Sequence, residues 1–281
     1  MTQDGERDQD PAQLALVAEQ LATEAADFVR RRRAEIFGAA NGSPGSAVRT
    51  KSSPTDPVTV VDTETERLLR ERLAELRPGE PVLGEEEGGT AGAPGQLTWV
   101  LDPIDGTVNF VYGIEAYAVS VAVQRDGQSV AGAVAQVASG AVYSAALGGG
   151  AQLRRGDLSV ALRCSGAAEL SMALVGTGFS YSAAQRVRQA QVLAELVAQV
   201  RDIRRIGSCA LDLCLVAAGG LDAYYEDGVQ VWDWAAGALI AAEAGAVLRL
   251  PSAAAGPGVV MAAAPGVAGA LGAELQRLGI L

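Results

Sequence analysis

The chain has 281 residues, 49% of them hydrophobic, and its 22 Lys and Arg against 33 Asp and Glu give a net charge of −11. That is enough apolar content for a core in one large or two ordinary domains. It argues against a nonspecific nucleic-acid surface or an anionic-membrane binder, both of which need clustered Lys and Arg. The absence of histidine removes His-based general-base catalysis, Ser-His-Asp hydrolysis and most zinc sites, so acid–base or metal chemistry must rest on carboxylates, which select hard cations such as Mg²⁺.

Residues 1 to 10 read as a disordered tail, after which Leu14, Val17, Leu21, Ala25, Phe28 and Val29 recur at the spacing of a long helix. Gly38 to Ser53, rich in Gly, Ser and Pro, reads as a loop leading to the β-prone Val58-Thr59-Val60-Val61. A second helix is expected to start near Asp62, with Thr63-Glu64-Thr65-Glu66 as its capping box and Leu69, Leu73 and Leu76 as its apolar stripe. Gly88 to Gly95 reads as a flexible loop. From Thr98 to Phe110 an apolar strand meets Pro103 and Gly106, stops, and gathers Asp102, Asp105 and Thr107 at its C-terminal edge, where ligands bind in layered α/β proteins.

Ala118 to Val123, Val130 to Val137 and Ala141 to Ala145 read as consecutive strands. Helices follow at Ala183 to Val200 and Gly207 to Ala218, then a strand at Leu221 to Tyr225 and a helix from Asp233 to Ala244 that ends at Gly245. The pattern predicts an α/β protein of alternating helix and sheet layers. Residues 11–281 form one catalytic domain in this reading, with a soft seam near Ser165 between an N-terminal metal-site half and a C-terminal substrate half. No apolar stretch reaches the roughly 18 residues that span a bilayer, so no membrane association is expected and the cytoplasm is the default compartment. Cys164, Cys209 and Cys214 have no metal-ligand spacing and read as buried thiols.

Four separated segments deliver acidic residues to element boundaries, where side chains converge without being sealed in a core. They are Lys51 to Asp62, Leu83-Gly84-Glu85-Glu86-Glu87, the Asp102 to Thr107 run, and Val231-Trp232-Asp233-Trp234-Ala235-Ala236-Gly237. Taken singly, each has an ordinary reading: Asp62 and Asp233 as helix caps, Glu85 to Glu87 as a solvated loop, Asp102 and Asp105 as a turn. Lys51 is the only lysine in the chain. It is either a chance surface residue or a place where a compact point charge serves better than a planar guanidinium.

Together, from about Lys51 to Gly245, these segments resemble the inositol monophosphatase family of metal-dependent phosphatases. Asp102-Pro103-Ile104-Asp105-Gly106-Thr107 is similar to the first family signature and Trp232 to Gly237 to the second. Arg204-Arg205-Ile206-Gly207-Ser208 and Ala223-Tyr224-Tyr225-Glu226 resemble the substrate segments between them. The resemblance implies a layered αβαβα sugar-phosphatase fold and a site holding two or three Mg²⁺ ions. Glu85, Asp102 and the Ile104 carbonyl would hold one, and Asp102, Asp105 and Asp233 a second. Thr107, bonded to Asp62, and Glu85 would orient the nucleophilic water, with Lys51 near the acidic cluster. The backbone at Ile104, Asp105, Gly106 and Thr107 would cradle the phosphate, while Arg204, Gly207, Ser208, Cys209, Glu226 and Asp233 would meet the alcohol. No covalent phosphoenzyme is expected.

Tyr112 and Gln230 stand where many relatives carry His, and Cys209 where Ala is usual, all at positions bearing on the alcohol. The leading reading is a Mg²⁺-dependent, Li⁺-sensitive phosphatase of myo-inositol 1-phosphate, acting as a homodimer. Histidinol phosphate, fructose 1,6-bisphosphate or a phosphorylated nucleotide are the alternative substrates. A partner-binding protein in which catalysis is secondary is the alternative of another class, although the acidic balance disfavours direct RNA contact.

Overall fold

The computed structural model describes residues 9–38, 48–51, 57–251 and 258–281. Residues 1–8 of the expected tail, and 39–47 and 52–53 of the expected Gly38 to Ser53 loop, lie outside the described residues. Asp10 caps the first helix by accepting the Ala12 N–H, and Pro11 supplies the first helical φ, so α1 spans Pro11–Phe37. A two-stranded ribbon, β1 (Val48–Thr50) and β2 (Pro57–Thr59), leads into α2 (Val60–Leu76). The capping box of α2 is not Thr63 with Glu66. It is Thr59 with Asp62, whose carboxylate reaches back to the Thr59 N–H, so the helix starts two residues earlier and Val60–Val61 are helical. The β-branched run is overruled because Thr59 and Asp62 satisfy each other's donors one turn apart.

Eight strands form the large sheet: β3 (Val82–Gly84), β4 (Gly88–Gly89), β5 (Leu97–Asp105), β6 (Ala118–Arg125), β7 (Gln128–Gln136), β8 (Ala141–Ala146), β9 (Gly150–Arg155) and β10 (Leu158–Ala161). Their spatial order is β10-β9-β8-β7-β6-β5-β3-β4, antiparallel except for the β3–β5 pair. The expected loop at Gly88 therefore begins with a two-residue strand. All nine residues of β5 are buried, because helices cover both faces of the sheet, which is why its sequence reads as one apolar run rather than an alternation. After β5 comes the short α3 (Thr107–Tyr112).

The second sheet, of order β12-β11-β13-β15-β14, is built from β11 (Leu174–Thr177), β12 (Asp202–Arg204), β13 (Ala223–Val229), β14 (Val247–Arg249) and β15 (Gly258–Ala263). Its helices are α4 (Ala183–Leu196), α5 (Cys209–Ala217), α6 (Val231–Glu243) and α7 (Pro265–Arg277). Three cores order these elements into five layers. The first lies between α1, α2 and the large sheet. The middle one packs the other face of that sheet through α5 and α6 onto β13 and β15. The third seals the small sheet under α4 and α7. The Ser165 stretch links the two sheets, yet the middle core draws on both halves. Small residues set this layer: a Cβ on Gly132 would lie 3.0 Å from the Ala236 Cα, and one on Gly237 would lie 2.9 Å from the Leu213 Cβ. Among the described residues no helix is long and apolar enough to cross a membrane.

Candidate active site

The site forms where β5 breaks off. The pairing of β5 with β6 loses register between Asp102 and Asp105, so both aspartates turn toward the same end of the sheet instead of alternating across it. Asp102 accepts the Ile104 N–H at 3.0 Å, which fixes the Pro103 corner. Gly106 then adopts φ 94°, a left-handed conformation costly for other residues, and the chain enters α3 at Thr107.

Three further helix starts converge on this corner. At the start of α2, Asp62 is the third helical residue; it accepts the Thr59 N–H at 2.9 Å and the Thr59 hydroxyl at 2.5 Å. At the start of α6, Asp233 sits in the same position and accepts the Gln230 N–H at 2.6 Å. Neither is the N-cap that its sequence suggests; both carry the carboxylate of a capping box, one turn inside the helix. At the start of α5, the Ser208 hydroxyl caps the helix and donates to Asp105 at 2.5 Å, and the Ala210 N–H donates to the same oxygen at 2.7 Å. Helix N-termini carry positive partial charge, so the fold brings the ends that best tolerate carboxylates to one place.

Asp102, Asp105 and Asp233 each offer an oxygen within 4.8 Å of the others. Burial, and then the neighbouring carboxylates, push Asp102 and Asp233 well above the usual carboxylate range, and burial pushes Asp105 up to about 7 against the hydrogen bonds from Ser208 and Ala210. Burial raises Asp62 to about 6, against the hydrogen bonds from Thr59. Glu85 is outside the aspartate trio, and its negative charge is foremost among the neighbours that oppose ionisation of Asp102. Its carboxylate is held by the Lys51 ammonium at 2.8 Å, and Lys51 also meets Glu86 at 2.5 Å. Burial lowers the Lys51 pKa, but these two carboxylates more than offset it, and the ammonium is held above its usual range. So the lone lysine is no chance surface charge.

The Thr107 hydroxyl stands 3.1 Å from Asp62 Oδ1 and 3.0 Å from the Ile104 carbonyl, and its single proton serves one of them at a time. A cleft of about 140 Å³ opens beside the trio, lined by Asp105, Gly106, Gly207, Cys209, Glu226 and Asp233 together with Arg205, Phe179 and Tyr181. The structure does not bring Arg204 here. Its guanidinium turns back to Asp202 at 2.6 Å and to the Ile203 carbonyl, while Arg205 takes the cleft. The two adjacent arginines at the end of a strand point opposite ways, and sequence similarity alone cannot say which faces in. Sequence reasoning also missed Asn109, whose amide donates to the carbonyls of Ala116 (2.8 Å) and Ile206 (2.9 Å) and so ties α3 to the loop before α5.

All donors in the trio are hard oxygens, their mutual repulsion is relieved by a cation, and Glu85 stands beside them; the residues fit Mg²⁺ better than a soft thiolate metal. A sequence model described as the inositol monophosphatase family matches residues 10–278. The chain belongs to the inositol monophosphatase family. It is 66% identical to the inositol-1-monophosphatase of Mycobacterium leprae (strain TN) over 278 residues, 96% of each chain. The solved structure of Mycobacterium tuberculosis SuhB superposes with a TM-score of 0.84 at 60% identity, covering 97% of this chain and 99% of that one. A structure described as 2'AMP-bound SaIMPase-II superposes with a TM-score of 0.72 at 27% identity over 95% of this chain and 93% of that one. Membership of the inositol monophosphatase family makes the chain a phosphoric monoester hydrolase of a metal-dependent family, and its aspartate trio is a group that could hold a metal ion.

The raised carboxylates have a consequence for stability. A folded-state pKa above the unfolded value means that the folded chain holds the proton more tightly, so this contribution is present below pH about 4 and is lost as pH rises through the folded values, for Asp62 costing about 3 kcal/mol by pH 7. Cation binding favours the ionised form. The rise in melting temperature on adding Mg²⁺ to chelator-treated protein is therefore expected to grow from pH 4.5 to pH 7.5, measured by differential scanning fluorimetry. An increment that is flat or shrinks with pH would contradict this electrostatic reading.

Proposed function

We propose that the chain hydrolyses myo-inositol 1-phosphate to inositol and phosphate, with Mg²⁺ as its metal and water as the nucleophile. The observation that carries this is one cleft lined by Asp105 and Asp233 of the aspartate trio together with the Glu226 carboxylate. Glu85, Asp102 and the Ile104 carbonyl on one side, and Asp102, Asp105 and Asp233 on the other, would hold the ions. When bound, they offset phosphoryl charge and supply a water acidic enough to react near neutral pH.

The chain's own residues divide the remaining work. Thr107, giving its proton to Asp62, keeps lone pairs free to accept from the attacking water and so to aim it. With a pKa of about 6, Asp62 is poised to take up a proton near neutrality. Lys51 keeps Glu85 turned toward the cluster. The N–H groups at Gly106 and Thr107 are open donors for the phosphate. Water forms the new P–O bond, the ester P–O bond breaks, and the alcohol leaves protonated. On the alcohol side, Tyr224 occupies one oxygen of Glu226, leaving the other to accept from vicinal hydroxyls, with Arg205 beside it. A homodimer and inhibition by Li⁺ belong to the same reading.

A second reading has an observation of its own. Next to the cleft, and sharing Phe179, Tyr181 and Arg205 with it, a cavity of about 560 Å³ is walled by Val108, Val111 and the exposed Tyr112, with Arg186 at its edge. Aromatic faces beside guanidinium groups suit a nucleotide base, so a nucleoside monophosphate is the alternative substrate. Phosphate release from inositol 1-phosphate, histidinol phosphate, fructose 1,6-bisphosphate and 2'-AMP, with Mg²⁺ and with EDTA, separates these. Inositol 1-phosphate is expected to have the highest kcat/KM, with turnover abolished by EDTA. No turnover of any inositol phosphate would sink the first reading.

A further inference from the structure

A carboxylate selects an alcohol only if its orientation is fixed, because a mobile one accepts hydrogen bonds from water as readily as from a sugar ring. Glu226 stands on β13, two residues from Tyr224, so both project from the same face of the strand, toward the middle layer and the cleft. The Tyr224 ring is fully buried, and its hydroxyl donates to Glu226 Oε2 at 2.6 Å. Its neighbours in register are Gly176 on β11 and Ala262 on β15, both small. A Cβ on Gly176 would lie 2.8 Å from Leu221, 2.9 Å from Asp212 Oδ1 and 3.3 Å from the Tyr224 ring, so the strand beside Tyr224 is crowded from several sides. Around the carboxylate itself the fit is tighter: a Cβ on Gly178 would lie 1.9 Å from Glu226 Oε2.

Resting on the substrate reading above, we infer that Tyr224 is a positioning residue for alcohol specificity: its buried hydroxyl holds Oε2 of the Glu226 carboxylate, which packs with both oxygens over the bare backbone of Gly178, so that Oε1 is left to accept from the hydroxyls of the leaving polyol. The Tyr224 hydroxyl bonds Glu226 and no member of the aspartate trio, and removing it leaves the Glu226 charge, which bears on Asp105 and Asp233, in place. Loss of the hydroxyl must therefore appear in binding of the polyol and not in the hydrolytic step.

The test compares inositol 1-phosphate with p-nitrophenyl phosphate, whose leaving group has no neighbouring hydroxyl for Glu226 to meet. Tyr224→Phe is expected to raise KM for inositol 1-phosphate about tenfold with kcat changed less than about twofold, while turnover of the aryl ester falls by less than about twofold. Glu226→Gln should raise the inositol 1-phosphate KM at least as much, and the double variant should be no worse than Glu226→Gln alone, because Tyr224 acts through that carboxylate. For Tyr224→Phe an equal loss on both substrates or no loss on inositol 1-phosphate, or additive effects in the double variant, would overturn the assignment. If Tyr224→Phe does not fold, Gly178→Ala displaces the same carboxylate from the other side and is expected to raise the inositol phosphate KM alone; an unchanged KM overturns the assignment. A parent enzyme that does not prefer inositol 1-phosphate to the aryl ester overturns the substrate reading, and the positioning role falls with it. That outcome is told apart from failure of the positioning role alone, in which the parent enzyme discriminates and the variants do so equally well.

Discussion

An Asp102→Asn variant is expected to release phosphate at least about 10³-fold more slowly than the parent chain and yet, freed of metal, to melt at a higher temperature. Both effects come from one cause. Asp102 is almost completely buried beside Asp105, Asp233 and Glu85, and those neighbours together with burial oppose its ionisation. Replacing it with a neutral amide of the same shape removes that opposition from the apo protein, where it costs stability, and removes from the loaded protein a charge that, in the proposed reading, would hold the cation. The Ile104 N–H still finds an acceptor in the Asn carbonyl, so the corner at Pro103 keeps its hydrogen bond. The discriminating measurement is the melting temperature of parent and variant with EDTA and with Mg²⁺. The variant should start higher and respond little. A variant that starts lower and still gains several degrees from Mg²⁺ would mean that Asp102 serves the fold rather than the ion.

How far the sequence shows this site depends on what each residue is bonded to. Asp102, Asp105 and Thr107 are legible because Pro103 and Gly106 impose the strand's end through backbone geometry that no tertiary contact needs to supply. The large sheet was legible for the same local reason: the runs from Ala118 to Ala145 carry strong β signals joined by short turns. The start of α2 was not, since Thr59 with Asp62 and Thr63 with Glu66 are both well-formed capping boxes on paper, and only the packing of Val61 and Glu66 beneath the sheet chooses between them. The same holds for Arg204 and Arg205. Adjacent arginines are equivalent in composition, and the cleft's position relative to the end of β12 decides which one enters it. Residues whose work is to hold other residues, such as Asn109, Tyr224 and Glu66, leave little local trace. Their partners are distant in sequence or donate from the backbone, which carries no side-chain signature.

Glu66 shows how much can rest on such a residue. It is fully buried on α2, and its two oxygens accept the N–H groups of Glu86 (2.7 Å) and Glu87 (3.0 Å) and the Arg70 guanidinium (2.9 Å). A Cβ on Gly84 would lie 2.2 Å from the same carboxylate, so the strand that ends at Gly84 runs directly against it. Glu85 lies between Gly84 and the two bonded N–H groups, its own N–H donating to the Leu101 carbonyl at 3.2 Å on β5. The buried carboxylate thus clamps the loop on both sides of Glu85. Glu66→Ala leaves two N–H groups without their acceptor and the Arg70 guanidinium with only the Gly88 carbonyl and Glu87, an expected cost of about 3 kcal/mol, seen as a melting temperature lower by roughly 10 °C. If the clamp sets Glu85 beside Asp102, the same variant also needs about 10–100-fold more Mg²⁺ for half-maximal activity, the usual effect of loosening a group that orients a metal ligand. Arg70→Ala separates the two consequences, because it removes the cation and its ties to the Gly88 carbonyl and Glu87, beyond Glu85, and leaves both backbone donors bonded to Glu66. It should lower stability modestly and leave the Mg²⁺ midpoint where it was. A Glu66→Ala protein that melts early but keeps the parental Mg²⁺ midpoint would show that Glu85 is placed by Lys51 and β5 alone, and that Glu66 holds up the fold without aiming the site.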